Sequence, residues 1–328
     1  MLSPASADAL LAPLAEETAL LLAVSGGPDS LALMLLAAAW SLRDKINIVV
    51  ATVDHGLRAG AREEALYVAK EAKALGFEHR LLVWAGEKPA TRLQERAREA
   101  RYALLAACAA ALDPRAAIVT AHHADDQAET ILFRLCRGSG VAGLGGMSAI
   151  SELNGAKLLR PLLDTPKSAL EAICVEAGLA YVTDPANANP RFARARLRAL
   201  AATLAAEGLD RDALLRLGRR AARADAALRQ CAADLEKRTR RGSDAGTARF
   251  AAEALRGAPD ELLARLIETQ TARFGKAPRL DRLERTLARI ARALASREST
   301  RMTLAGALID VDEACLSFRP APPRAQRL

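Results

Sequence analysis

The apolar positions of this chain change rhythm along its length. In the first half, short unbroken apolar runs alternate with longer stretches of helical spacing. Ala19–Val24 reads ALLLAV and Ile46–Val53 reads INIVVATV, both as buried strands, and His79–Trp84 and Ala116–Ala121 are two more. Between them, Leu31–Trp40, Glu63–Leu75 and Leu93–Leu112 set Ala and Leu at helical intervals. Such alternation predicts an α/β domain with a doubly wound parallel sheet and helices on both faces. Beyond about residue 190 the chain is almost all Ala, Leu, Arg and Glu. Leu280, Leu283, Leu287, Ile290 and Leu294 are spaced 3, 4, 3 and 4, the stripe of an amphipathic helix. Thr239–Gly246 reads as a polar loop. The expected organisation is an α/β domain over 1–185, a linker over 186–210 and a second, all-helical domain over 211–328.

Composition supports the second half of that picture. Hydrophobic residues make up 51% of the 328, mostly Ala and Leu, which enter helices at little cost. The net charge of +8 favours an anionic partner, with nucleic acid the common case. Arginines fall in stripes: Arg191, Arg194 and Arg198; Arg216, Arg219, Arg220 and Arg223; Arg279, Arg282, Arg285, Arg289 and Arg292. One stripe is an ordinary solvated helix face, but three in one region favour phosphate-backbone contact. Aromatics are only 3%, so base stacking is not their role. The five cysteines, Cys108, Cys136, Cys174, Cys231 and Cys315, form no short pair and read as free thiols. There is no signal-peptide pattern and no apolar run of the roughly 20 residues that span a membrane. The expected location is the cytoplasm.

Three segments carry chemistry. Ser25-Gly26-Gly27-Pro28-Asp29-Ser30 joins the first strand to a helix. Glycines let backbone approach an anion, the serines add hydroxyls, and the helix start adds free N–H groups. This is a pyrophosphate cradle at a strand's carboxyl end, without the Lys-Ser/Thr ending of a Walker loop. Asp29 tolerates phosphate only through a cation, so Mg²⁺ is expected there, with Asp126 a candidate second ligand. Asp54, His55 and Arg58 close the second strand at the same edge, where they can meet phosphate or a base. The fourth strand ends in His122 and His123, followed by Asp125, Asp126 and Glu129. Such a cluster can bind Mg²⁺, hold an ammonium or move protons. Gly138–Gly143 matches GxGxxG but follows a helical stretch, so it reads as a flexible loop that contacts substrate rather than a dinucleotide fold.

These segments resemble a known family. Ser25–Ser30 is similar to the SGGxDS loop of the PP-loop ATP pyrophosphatases. Asp54–Arg58 (DHGLR) and Thr120–Met147 (TAHHADDQAETILFRLCRGSGVAGLGGM) resemble the tRNA(Ile)-lysidine synthetases. Gln94, Arg98, Arg101 and Tyr102 resemble that family's QxxARxxRY helix, and Arg160–Leu163 its RPLL strand end. Asp184–Asn187 with Phe192, Arg194 and Arg198 resemble its DxxN…FxRNxxR segment, with Ala195 where the family has Asn. The likeness covers about residues 20–200.

The resemblance implies a ligase that uses ATP with Mg²⁺ to adenylate the wobble cytidine of isoleucine tRNA with a CAU anticodon. Free L-lysine then displaces AMP. Ser25, Gly26, Gly27, Pro28, Asp29, Ser30, Asp54, His55 and Arg58 would bind the nucleotide. Asp29, His122, His123, Asp126, Glu129 and Arg194 would carry the chemistry. Asp125, Asp126 and Glu129 would seat the lysine ammonium, and one of the histidines would take a proton from the attacking amine. The 211–328 region would bind tRNA, and a homodimer is left open. The rivals are a tRNA thiolation enzyme, which commonly uses paired cysteines that this chain lacks, and a non-catalytic RNA-binding module, which the intact loop disfavours.

Overall fold

The computed structural model describes residues 3–57, 60–86, 88–89, 91–181, 193–244, 246–275 and 277–322. Two compact units divide it, Met1–Ala221 and Ala222–Leu328.

The first unit follows the strand–helix alternation read from the sequence. In chain order its elements are α1 (Pro4–Leu11), β1 (Ala19–Ala23), α2 (Pro28–Ala39), β2 (Asn47–Asp54), α3 (Ala61–Ala74), β3 (Glu78–Val83), α4 (Leu93–Leu112), β4 (Ala117–Val119), α5 (Ala124–Leu135), α6 (Val141–Leu144), β5 (Ile150–Leu153), β6 (Ala156–Leu159), α7 (Lys167–Glu176), α8 (Ala193–Ala199) and α9 (Ala201–Ala206). The sheet order is β3-β2-β1-β4-β6-β5, parallel except for the β5 edge. Both faces are covered. Leu20 and Leu22 of β1 pack with α1, α2, α3 and α7 residues, while Ala19 and Leu21 pack with Tyr102, Leu105 and Ala109 of α4. A strand buried on both faces has no polar alternate positions, which is why β1 reads as a continuous apolar run. Each fully buried Leu adds roughly 1.5–3 kcal/mol of burial free energy.

The order reverses direction between β1 and β4. In an open α/β sheet, the crevice for a ligand lies at this switch, outside the strands' carboxyl ends. The β1–α2 and β4–α5 loops flank it, and they carry Ser25–Gly27 and Thr120–His123.

Part of the stretch expected as a linker is built into this unit. Leu197, Leu204, Leu209 and Leu217 pack against Ala128, Ile131, Leu132 and Leu214, so residues 193–206 are helical where a linker was expected, and the division falls after Ala221 instead of near 210. Residues 182–192, with Asp184–Asn187, Arg191 and Phe192, lie outside the described residues, as does Arg58.

The second unit has the expected helices. The division falls within α10 (Arg211–Thr239), which is followed by β7 (Arg240–Asp244), β8 (Thr247–Ala251), α11 (Ala252–Leu255), α12 (Asp260–Ala272), α13 (Leu280–Ser296), β9 (Thr300–Leu304), β10 (Ala307–Val311) and β11 (Cys315–Pro320). On α13, Leu283, Leu287, Ile290 and Leu294 are buried as the stripe predicts, while Leu280 is 49% exposed. The unit is not all helix. A five-stranded antiparallel sheet, β7-β8-β11-β10-β9, completes it, and the Thr239–Gly246 loop is largely strand β7. The physical reason is period-two burial: Ala248 and Phe250, Ala307, Ile309 and Val311, and Leu316 and Phe318 all face the α12–α13 core.

Candidate functional site

The first loop is shaped by its glycines and serines. Gly26 has φ +86°, a conformation only glycine adopts without strain, and Gly27 is extended as α2 begins. Pro28 takes the first helical position, where a missing N–H costs nothing. Ser30 donates from Oγ to the Gly27 carbonyl at 3.0 Å and accepts from the Ser25 N–H at 3.1 Å. No side chain caps Gly27, so the first-turn N–H groups of α2 are open to an anion. Cys174 of α7, fully buried, donates from Sγ to the Pro28 carbonyl at 3.2 Å and steadies this turn. Burial, with Asp29 nearby, pushes its thiol up to about 11, so it stays neutral.

The β4–α5 loop meets the first loop through His123. This residue is the N-cap of α5: its Nδ1 accepts the Asp126 N–H at 3.3 Å, and its own backbone N–H donates to Asp126 Oδ2 at 3.2 Å. Its Nε2 lies 3.5 Å from Asp29 Oδ2 and 3.5 Å from Asp126 Oδ2. The two carboxylates thus converge on one nitrogen. Burial pulls His123 toward neutrality, but its hydrogen bond to Asp29 and the charges of Asp126, Asp29 and Asp125 outweigh it and leave the pKa raised. Burial also raises Asp126, with His123 offsetting only part of that push. Asp29 Oδ1 is a buried acceptor without a partner.

His122 faces the other way. Its Nδ1 pairs with Thr120 Oγ1 at 2.8 Å. Burial first, then the charges of Arg160, Arg101, Arg98 and Arg194, drive its pKa down to about 3. It is a neutral imidazole with little affinity for a proton.

A cavity of about 1260 Å³ opens at the switch. Of the residues expected from the sequence, Ser25, Gly27, Pro28, Asp29, Ser30, His55, His122 and Asp126 line it. Gly26 shapes the loop behind it. His123 is buried behind the wall, orienting the two carboxylates. Asp54 does not line the cavity: its Oδ1 accepts the Gly56 N–H at 2.8 Å and closes a turn. Glu129 is held by Arg198 in a two-pronged pair at 2.6 and 2.9 Å. Arg194 donates to Thr130 Oγ1 at 3.4 Å. Asp125 is engaged structurally, accepting the Lys167 N–H at 2.8 Å at the start of α7. The glycine-rich segment is not loose: Gln127 exchanges two bonds with Met147, and Arg134 donates to the Gly143 and Gly146 carbonyls.

Several wall residues were missed. Glu64, Lys167, Glu171 and Tyr181 line the cavity from α3, α7 and the segment after α7. The only sequence signal of Glu64, Lys167 and Glu171 is their place on helices that follow ligand-edge strands, and Tyr181 carries none. His55 contributes an imidazole set edge-on to Trp84, with ring centroids 6.0 Å apart. Burial and the Arg101 charge lower its pKa, so it too meets a ligand uncharged. Among the described residues no group of three or more His, Cys, Asp or Glu side chains is arranged to hold a metal unaided. No helix among them is long and apolar enough to cross a membrane.

Comparison with known proteins gives the chain's relatives. A PP-loop domain family matches residues 3–204. The chain is 45% identical to the tRNA(Ile)-lysidine synthase of Bradyrhizobium sp. (strain BTAi1), with 99% of this chain and 96% of that protein aligned. It is 49% identical to that of Methylobacterium sp. (strain 4-46), over 92% and 89%. Among solved structures, the U34-tRNA thiolase NcsA of Methanococcus maripaludis superposes with a TM-score of 0.55 at 16% identity, over 66% of this chain and 78% of that one, a likeness of fold alone.

Proposed function

This chain belongs to the tRNA(Ile)-lysidine synthase family of PP-loop proteins, and from that premise we propose that it carries out the family's reaction in two steps. ATP adenylates the C2 carbonyl oxygen of the wobble cytidine of isoleucine tRNA with a CAU anticodon, and pyrophosphate leaves. The ε-amine of free lysine, having released its ammonium proton to solvent, then attacks C2, the C–O bond to AMP breaks, the departing phosphate takes the second nitrogen proton, and lysidine remains. The observation that carries this reading is one cavity bordered by both the anion loop and the Asp126 end of the acidic cluster.

The open N–H groups of α2 and the Ser25 hydroxyl bind the leaving pyrophosphate. Mg²⁺ fits the site, because Asp29 Oδ1 is buried and unpartnered and the Asp29 and Asp126 carboxylates lie side by side, each with its Oδ2 3.5 Å from His123 Nε2. Two carboxylates suffice when phosphate oxygens and water complete the shell. When bound, the ion neutralises charge on the phosphates under attack. His123 orients both carboxylates from behind. Asp126 and Glu129 supply the negative charge that seats the lysine ammonium. His122, uncharged, hydrogen-bonds at the cavity wall and does not take a proton. The reaction belongs in the cytoplasm, where tRNA, ATP and lysine meet.

The test is incubation of the protein with ATP, Mg²⁺, labelled lysine and either isoleucine tRNA (CAU) or methionine tRNA, which shares the anticodon. Label entering only the isoleucine tRNA is expected. AMP formed without lysine transfer would point to thiolation, and no AMP at all to a binding module.

A further inference from the structure

Two motif fragments that the proposed chemistry leaves idle meet in space. Arg98 and Arg101 stand on α4, and Arg160 follows β6. Arg194 joins them from α8. All four guanidinium charges act on His122. They act on one another too, since Arg98 lies within reach of the Arg101 and Arg194 charges, and Arg160 within reach of Arg98. Among the described residues none of the four forms an ion pair with a carboxylate. Arg98 and Arg101 instead sit on the Tyr102 ring, at 5.0 and 4.9 Å from its centroid. Arg160 donates to the Ser148 carbonyl at 2.7 Å and to Ser151 Oγ at 3.0 Å. The Nε groups of Arg101 and Arg160 are buried donors with no acceptor.

A cluster of like charges in which two Nε donors, those of Arg101 and Arg160, are buried and orphaned is costly as it stands. It becomes favourable when an anion enters that accepts several charge-assisted bonds. A phosphodiester does so through two non-bridging oxygens matched to the guanidinium fork. In the proposed reaction the pyrophosphate of ATP is held by the β1–α2 loop, at the cavity that Arg101 also lines. Of the groups that must reach this cavity, the remaining phosphate is the one carried by the RNA.

We propose that Arg98, Arg101, Arg160 and Arg194 form a site for one RNA backbone phosphodiester, the one adjoining the nucleotide being modified. The assignment rests on the tRNA reading above and adds to it the contact that draws a splayed nucleotide past His122 toward the bound ATP. Desolvation pushes Arg98 and Arg160 below the usual arginine range even though Arg98 reaches solvent and Arg160 is half-buried.

The test uses the full chain and binding, not turnover. Filter binding compares an isoleucine tRNA anticodon stem–loop with the same RNA carrying one neutral methylphosphonate on either side of the wobble cytidine. One of the two substitutions is expected to weaken binding roughly tenfold. Arg160→Gln and Arg101→Gln should weaken the natural RNA by a similar factor and lower the salt slope by about 0.7. Neither variant should lose further affinity on the substituted RNA, and both should keep the KM for ATP. Equal binding of all three RNAs by the unaltered chain would overturn the proposal, and needs no variant to fold. A raised KM for lysine with unchanged RNA affinity in Arg160→Gln would also overturn it and reassign the cluster to the lysine carboxylate. Failure of the tRNA reading itself is separate, because it shows as no lysine transfer by the unaltered chain.

Discussion

His122 and His123 are neighbours in sequence and opposites in environment. His123 is enclosed by Asp29, Asp126 and Asp125, while His122 feels the charges of Arg160, Arg101, Arg98 and Arg194. Carboxylates hold the first toward its cationic form, while burial and arginines hold the second neutral. Where a strand gives way to a loop, consecutive side chains point to opposite sides, so one dipeptide can serve two regions. The carboxylate side suits a divalent cation or an ammonium. The arginine side suits a phosphate. Pairs of groups whose environments push their pKa values apart mark a division of labour within a site.

The most damaging way to test the carboxylate side is Asp29→Ala. It removes the unpartnered buried oxygen and one of the two groups on His123 Nε2. AMP formation should fall by roughly 10²–10³-fold, on the scale of losing one preorganised electrostatic contact. tRNA affinity should stay within a few-fold, since the arginine side is intact. Normal AMP formation would sink the metal assignment. Next in size is the pH response of the two histidines. His122 is lowered to about 3, so the unfolded chain binds its proton first. Its stability contribution is present above the ordinary histidine value of about 6.5 and is lost as pH falls from there toward 3. Relative to His122→Asn, the unaltered protein should lose about 2 kcal/mol between pH 7 and pH 5 in urea melts. His123 is raised, so its contribution has the other sign: full below about 6.5 and lost as pH rises through its folded value. His123→Asn should therefore narrow its gap to the unaltered protein as pH rises. Two variants moving in the same direction would erase the contrast.

The parts of this site that were legible in sequence are local. Ser25–Ser30 is one loop, and His122 to Glu129 is one strand end and helix start, so residue type and spacing suffice to place them. The arginine cluster was only half legible. Arg98–Arg101 and Arg160 were visible as motif fragments, but their meeting depends on α4 covering β1 while β6 adds beside β4, a fact of sheet order. Asp125 and Asp54 looked like ligands because a carboxylate at a strand end carries no mark of whether backbone N–H groups have already claimed it. The C-terminal sheet was missed because its strands are five or six residues long, and their alternation, as in Ala307-Leu308-Ile309-Asp310-Val311, is diluted by an Ala- and Arg-rich background that favours helices elsewhere.

A gentler probe of the carboxylate side is Glu129→Gln. The substitution keeps the shape but removes the charge that Arg198 grips from two directions. If Glu129 helps seat the lysine ammonium, the KM for lysine should rise about tenfold, the usual worth of one charge-assisted bond, with the KM for ATP unchanged. A rise in both would mean the pair only braces α5 against α8.

The smallest effect isolates the arginine side. Thr120→Val swaps one buried residue for another of the same outline and deletes the partner of His122 Nδ1. The loss should be about 1 kcal/mol of stability, the ordinary value of a neutral hydrogen bond whose remaining half stays buried. In the His122→Asn background the imidazole is gone, so the same substitution should cost less. A double-mutant cycle on the two positions reads that difference directly. Equal costs in both backgrounds would mean that Thr120 does not orient the ring, and that the arginines and the packing around it hold His122 in place by themselves.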